Sequence, residues 1–182
     1  MKNLEILSRE QVAPETQQVF DNLKGAIGMV PNLYATAANS HKGLTALLGL
    51  GDALKGGEFS GKEVEAIALA VGEANGCNYC LSAHTAIGKM QGFTEEETVK
   101  LRTGEIEDGK LNALTSLAKE ITETRGLPSQ DTVDRFFSVG YNKAALVELI
   151  GFVANNTFTN YLNHIADTTV DFPKVSALNQ LA

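Results

Sequence analysis

Tryptophan is absent from this chain of 182 residues, and it holds only four prolines, three histidines and two cysteines. With so little proline and almost no alternation of apolar and polar residues, it offers no pattern for β-strands. No stretch approaches the roughly 20 apolar residues of a membrane span. The first residues turn polar at Ser8-Arg9-Glu10-Gln11, which breaks the apolar run that a secretory signal needs. Runs of basic residues are also missing. The chain has 15 Lys+Arg against 22 Asp+Glu and a net charge of −7, so the clustered cations that neutralise phosphates are not there. The expectation is a cytoplasmic protein with no nucleic-acid and no membrane partner. The residues that are present, 43% hydrophobic and 20% charged, can build one core-bearing domain over 1–182 and exclude disorder and collagen-like architectures.

Glycine, serine and threonine punctuate the chain at helical intervals, which predicts an all-α fold. Val19, Leu23 and Ile27 recur every fourth position ahead of Pro31, giving a first helix over 15–27. A longer apolar stripe runs over 32–54, with Asn39-Ser40 as a candidate break. Ser60 followed three residues later by Glu63 is a capping box. It opens a helix that runs to about Asn75 and that Gly76 is suited to end. Further helices are expected from Cys77 to Gln91, from Thr94, from Asp108 to Arg125, from Ser129 to Val139 and from Asn142 to Ala166. A tail expected to fray follows Phe172-Pro173. Laying residue n over n+80 matches Leu69 with Leu149, Ala74 with Ala154, Asn75 with Asn155 and His84 with His164. Either chance or two related helical halves accounts for this weak repeat.

The two cysteines are Cys77 and Cys80, with only two residues between them. A disulfide here closes too short a loop to act as a structural staple. A zinc site would have to recruit His84 and a fourth ligand from elsewhere, so redox chemistry is the leading expectation, with no metal and no bound cofactor. On a helix, steps of three and four residues place Cys77, Cys80 and His84 on one face. The break at Gly76 puts both sulfurs in a first turn, where the dipole and free amides favour a thiolate. Such a thiolate attacks a peroxide oxygen to give a sulfenic acid, which a second thiol condenses to a disulfide. Thioredoxin-like logic favours the first cysteine as the attacking one. The four-residue step to His84 favours Cys80, the choice preferred here.

Other residues are candidates of lower rank. Tyr79, between the cysteines, suits packing and proton donation equally. Asn160 and His164, in the last helix, are candidates for lining the same cavity, against the plainer reading as ordinary polar helix residues. His41 is expected at the surface. For Glu65, a solvated carboxylate is the usual case, and sequence spacing alone does not turn it toward the cysteines.

The pattern Glu65, eleven residues, Cys77-Asn78-Tyr79-Cys80, three residues, His84 resembles the active-site signature of the alkylhydroperoxidase-D-like branch of the carboxymuconolactone decarboxylase superfamily. The likeness extends to Pro31-Asn32-Leu33, Asn160-Tyr161-Leu162-Asn163-His164 and Asp171-Phe172-Pro173, features of its uncharacterised peroxidase-related proteins. The resemblance implies an all-helical fold assembled into trimers or hexamers that reduces hydroperoxides. It implies Cys80 as the peroxidatic thiol, Cys77 as the resolving thiol, and Glu65 and His84 as a proton relay. The chain departs from the best-studied members at Tyr79, where they carry a histidine.

The resulting expectation is an antioxidant thiol peroxidase acting on organic hydroperoxides or hydrogen peroxide, re-reduced by a dithiol or thioredoxin-like partner. Apolar helix faces in so short a chain add to the expectation of a homo-oligomer. Two alternatives stand beside it. One is an acid–base decarboxylase or isomerase using Glu65 and His84, with structural cysteines. The other is a non-enzymatic redox sensor or disulfide carrier.

Overall fold

The computed structural model describes residues 4–175 and 178. After a 3₁₀ turn at Arg9–Gln11, nine α-helices follow among the described residues: α1 (Pro14–Ile27), α2 (Asn32–Ala37), α3 (His41–Ala53), α4 (Gly61–Ala74), α5 (Asn78–Met90), α6 (Glu95–Thr103), α7 (Gly109–Thr124), α8 (Gln130–Ser138) and α9 (Lys143–Ala166). No strand occurs among these residues, so the fold is all-α. No described helix is long and apolar enough to cross a membrane.

Capping side chains set most of the boundaries. Ser60 and Thr94 form capping boxes with Glu63 and Glu97, and Asp108, Ser129 and Asn142 accept from the first-turn amides of α7, α8 and α9. Each satisfies a donor that helix geometry leaves orphaned, worth about 1 kcal/mol apiece. The 32–54 stripe divides at the candidate break: α2 ends at Ala37, and Ser40 caps α3 by accepting from the Gly43 amide at 3.1 Å.

Helix α4 sits at the centre, packed against α5, α6, α7 and α9. Its residues Glu65 to Gly72 are buried without interruption, as expected of a helix covered on every side. Four alanines and Gly72 in α4 admit close neighbours. On one side Ile67 and Val71 join Leu114, Leu117, Phe136 and Leu149 in the largest core cluster. On another Ala66 and Leu69 meet Leu81 and Leu101. The helix thereby carries Glu65 into the interior, beside α5.

Beyond α9 the chain does not fray at once. Residues 167–175 form a strap across α2 and α5: Asn32 Nδ2 donates to the Thr169 carbonyl at 2.9 Å, and the Val175 amide donates to Ser82 Oγ at 3.4 Å. The fraying expected after Phe172-Pro173 otherwise falls outside the described residues.

Candidate functional site

Cys77 is the N-cap of α5, and its Sγ accepts from the Cys80 amide at 3.3 Å. Gly76 makes this possible, since its φ of +67° turns the chain from α4 into α5 through a left-handed conformation that favours glycine. The two cysteines are joined as a disulfide, with Cα atoms 5.3 Å apart. Both sulfur-bearing residues are buried within a cluster that includes Leu33, Tyr79 and Ala83.

A cavity of about 340 Å³ lies against this cluster. Cys80 lines it together with Glu65, His84 and Tyr79, while Cys77 is not among its walls. Leu33, Leu47, Leu48, Phe59 and Phe152 supply much of its apolar lining. Glu65 Oε2 and His84 Nδ1 are 2.7 Å apart. A carboxylate on a buried face needs such a partner. With Nδ1 engaged, Nε2 is the ring atom left for proton exchange. Of the three residues expected on one helical face, Cys80 and His84 reach the cavity. Cys77 does not, because as N-cap it lies outside the helical turn.

Behind the disulfide stands α9. Asn160 Nδ2 donates to Cys80 Sγ at 2.9 Å, and Asn163 Nδ2 lies 3.3 Å from Cys80 Sγ and 3.9 Å from Cys77 Sγ. Asn75, at the end of α4, donates to Asn160 Oδ1 at 2.8 Å. Asn160 thus touches the sulfur from the core and not from the cavity. His164 is exposed on the outside of α9, in line with its plainer reading as an ordinary polar helix residue and not with its candidacy as a cavity residue: α9 turns Asn160 and Asn163 inward, and the next position lies toward the helix flank. His41 is half-buried, with Nδ1 2.9 Å from Thr16 Oγ1.

Tyr79 is a strut. Its hydroxyl accepts from the Leu33 amide at 3.1 Å and donates to Asp171 Oδ1 at 2.7 Å, and Asp171 Oδ2 accepts from the Asn32 amide at 2.8 Å. Burial raises the pKa of this hydroxyl well above the usual tyrosine range, and the carboxylate of Asp171 adds to the rise. Phe172 packs edge-on against its ring at 5.9 Å. Asn163 and Asp171 lie in segments to which the family likeness extends, with no role assigned there, and Asn75 has no place in the motif; the n+80 register lays Cys80 over Asn160.

Among the described residues no group of three or more His, Cys, Asp or Glu side chains is placed to hold a metal ion. Residues 42–123 match the carboxymuconolactone decarboxylase family. That segment contains Glu65, both cysteines and His84, and the family is the one the motif resembles. No curated protein matches the sequence. Among solved structures, an uncharacterized peroxidase-related protein from Ralstonia eutropha JMP134, described as an alkylhydroperoxidase AhpD core, superposes with a TM-score of 0.83. It is 18% identical over 92% of this chain and 90% of that one. An uncharacterized peroxidase-related protein from Silicibacter sp. TM1040 gives a TM-score of 0.79 and 23% identity over 92% and 89%. The debrominase Bmp8 in complex with 2,3,4-tribromopyrrole gives 0.79 and 19% over 94% and 92%. At these identities the likeness to these structures shows a shared all-helical fold.

Proposed function

We propose that this protein is a thiol-dependent peroxidase in which Cys80 is the attacking sulfur, Cys77 the resolving one, and the Glu65–His84 pair the proton relay. The observation that carries the reading is the asymmetry of the two sulfurs: Cys80 lines the cavity alongside Glu65 and His84, and Cys77 does not. In this reading the Cys77–Cys80 disulfide corresponds to the oxidised form of the cycle. In the reduced form, the Cys80 thiolate attacks one oxygen of a hydroperoxide. The O–O bond breaks, the leaving alkoxide takes a proton relayed through His84, and Cys80 is left as a sulfenic acid. The Cys77 thiolate then displaces hydroxide from that sulfur, and water leaves as the disulfide forms. A dithiol reductant returns both thiols by exchange and becomes a disulfide itself. Sulfur carries both electrons, so the cycle requires no bound cofactor.

The test is a thiol count on reduced protein before and after one equivalent of cumene hydroperoxide or hydrogen peroxide, followed by turnover with a panel of dithiols. Loss of two thiols together with catalytic peroxide consumption is the expected result. If the Cys77→Ser/Cys80→Ser protein keeps its activity on a lactone acid, the acid–base alternative replaces this one. Rapid exchange with protein disulfides and negligible peroxide turnover would make the protein a disulfide carrier.

A further inference from the structure

The amides behind Cys80 have no place in the relay just described. Asn160 is fully buried and Asn163 nearly so, and both direct Nδ2 at Cys80 Sγ, at 2.9 and 3.3 Å. An amide in a helix interior has many neutral ways to satisfy itself, and a disulfide sulfur is a weak acceptor. A thiolate is a strong one, and hydrogen bonds to the charged form of a group favour that form. The carbonyl oxygen of Asn163 is buried with no partner among the described residues, which a native fold avoids without a reason. The amide nitrogen is thus the end of Asn163 that faces the sulfurs, nearer to Cys80 than to Cys77.

Resting on the peroxidase reading, we infer that Asn160 and Asn163 are catalytic residues that hold Cys80 as the thiolate, their amide nitrogens lying 2.9 and 3.3 Å from its sulfur. Asn75 is a positioning residue: by donating to Asn160 Oδ1 at 2.8 Å it keeps the Asn160 amide nitrogen turned toward sulfur. The surroundings leave this task to α9. Helices α4 and α5 bring Glu65 and His84 to the cavity, the strap brings Asp171 to Tyr79, and α9 brings uncharged amides.

The experiment uses the Cys77→Ser protein, whose serine preserves the N-cap, and follows the rate of Cys80 alkylation by iodoacetamide against pH. No peroxide is involved, so the outcome is separate from that of the peroxidase reading. Adding Asn160→Leu or Asn163→Leu is expected to raise the midpoint of the profile by about one unit or more, the equivalent of one hydrogen bond to a charged group. Asn163→Asp, nearly the same size, is expected to raise it further. Asn75→Ala is expected to shift it in the same direction by less. Circular dichroism identifies variants that fail to fold, and the aspartate variant stands in if a leucine is not tolerated. Unchanged profiles in folded variants would overturn the assignment, as would a shift downward.

Discussion

Replacing Tyr79 by Phe removes one oxygen and leaves three consequences. The Leu33 amide loses its acceptor in a buried place, Asp171 loses one of its donors, and the strap loses a tie to α5. A stranded buried donor costs about 1–3 kcal/mol, and a hydrogen bond to a charged group is worth about 1.5–3 kcal/mol. Asp171 keeps the Asn32 amide, so the total comes to about 3 kcal/mol. For a chain of this size that corresponds to roughly 6–12 °C in Tm. Thermal and urea unfolding followed by circular dichroism measure it. Asp171→Asn and the double variant close a cycle in which the two losses are not additive. Because Tyr79 is a strut and not a proton donor, peroxide consumption by the folded variant is expected to stay within a few-fold of the original. A hundred-fold loss of rate with an unchanged Tm would refute this and make the hydroxyl part of the relay.

His84→Gln is expected to slow peroxide attack by about 10²–10⁴, the usual cost of a lost general base, with Glu65→Gln falling the same way; equal rates in stopped-flow mixing would remove the pair from the mechanism. Phe136 is fully buried and stacks on Tyr141 at 4.4 Å, so Phe136→Ala should cost about 3–5 kcal/mol in urea unfolding. Burial raises the Tyr79 and Tyr141 hydroxyls above their ordinary pKa. Their contribution to stability is therefore present below the unfolded value near pH 10 and declines as pH rises above it. Unfolding titrations from pH 8 to 11 should show that decline, and Tyr141→Phe should flatten it.

The helices were legible because their ends are written in short-range chemistry. The Ser60–Glu63 and Thr94–Glu97 boxes and the glycine at 76 act within three or four residues. The spacing that joins Cys80 to His84 is equally local. What was not legible depends on how distant helices meet. The bonds from Asn160 and Asn163 to Cys80 span 80 and 83 residues, and that from Tyr79 to Asp171 spans 92. Asparagine in a helix carries no mark of the neighbour it will find. Asn160 and His164, both candidates in the last helix, lie one turn apart, yet the rotation of α9 buries the first and exposes the second. Glu65 shows the same limit from the other side. Its carboxylate reads as solvated until α4 is found to be enclosed by four helices.

The central claim is that Cys80, and not Cys77, meets the peroxide. It is tested most directly by treating the reduced Cys77→Ser and Cys80→Ser proteins with one equivalent of hydroperoxide in the presence of dimedone and locating the adduct by peptide mass spectrometry. The account predicts a sulfenic acid adduct on Cys80 in the Cys77→Ser protein and no adduct in the Cys80→Ser protein. An adduct on Cys77 in the Cys80→Ser protein, with Cys80 unmodified in its counterpart, would contradict it.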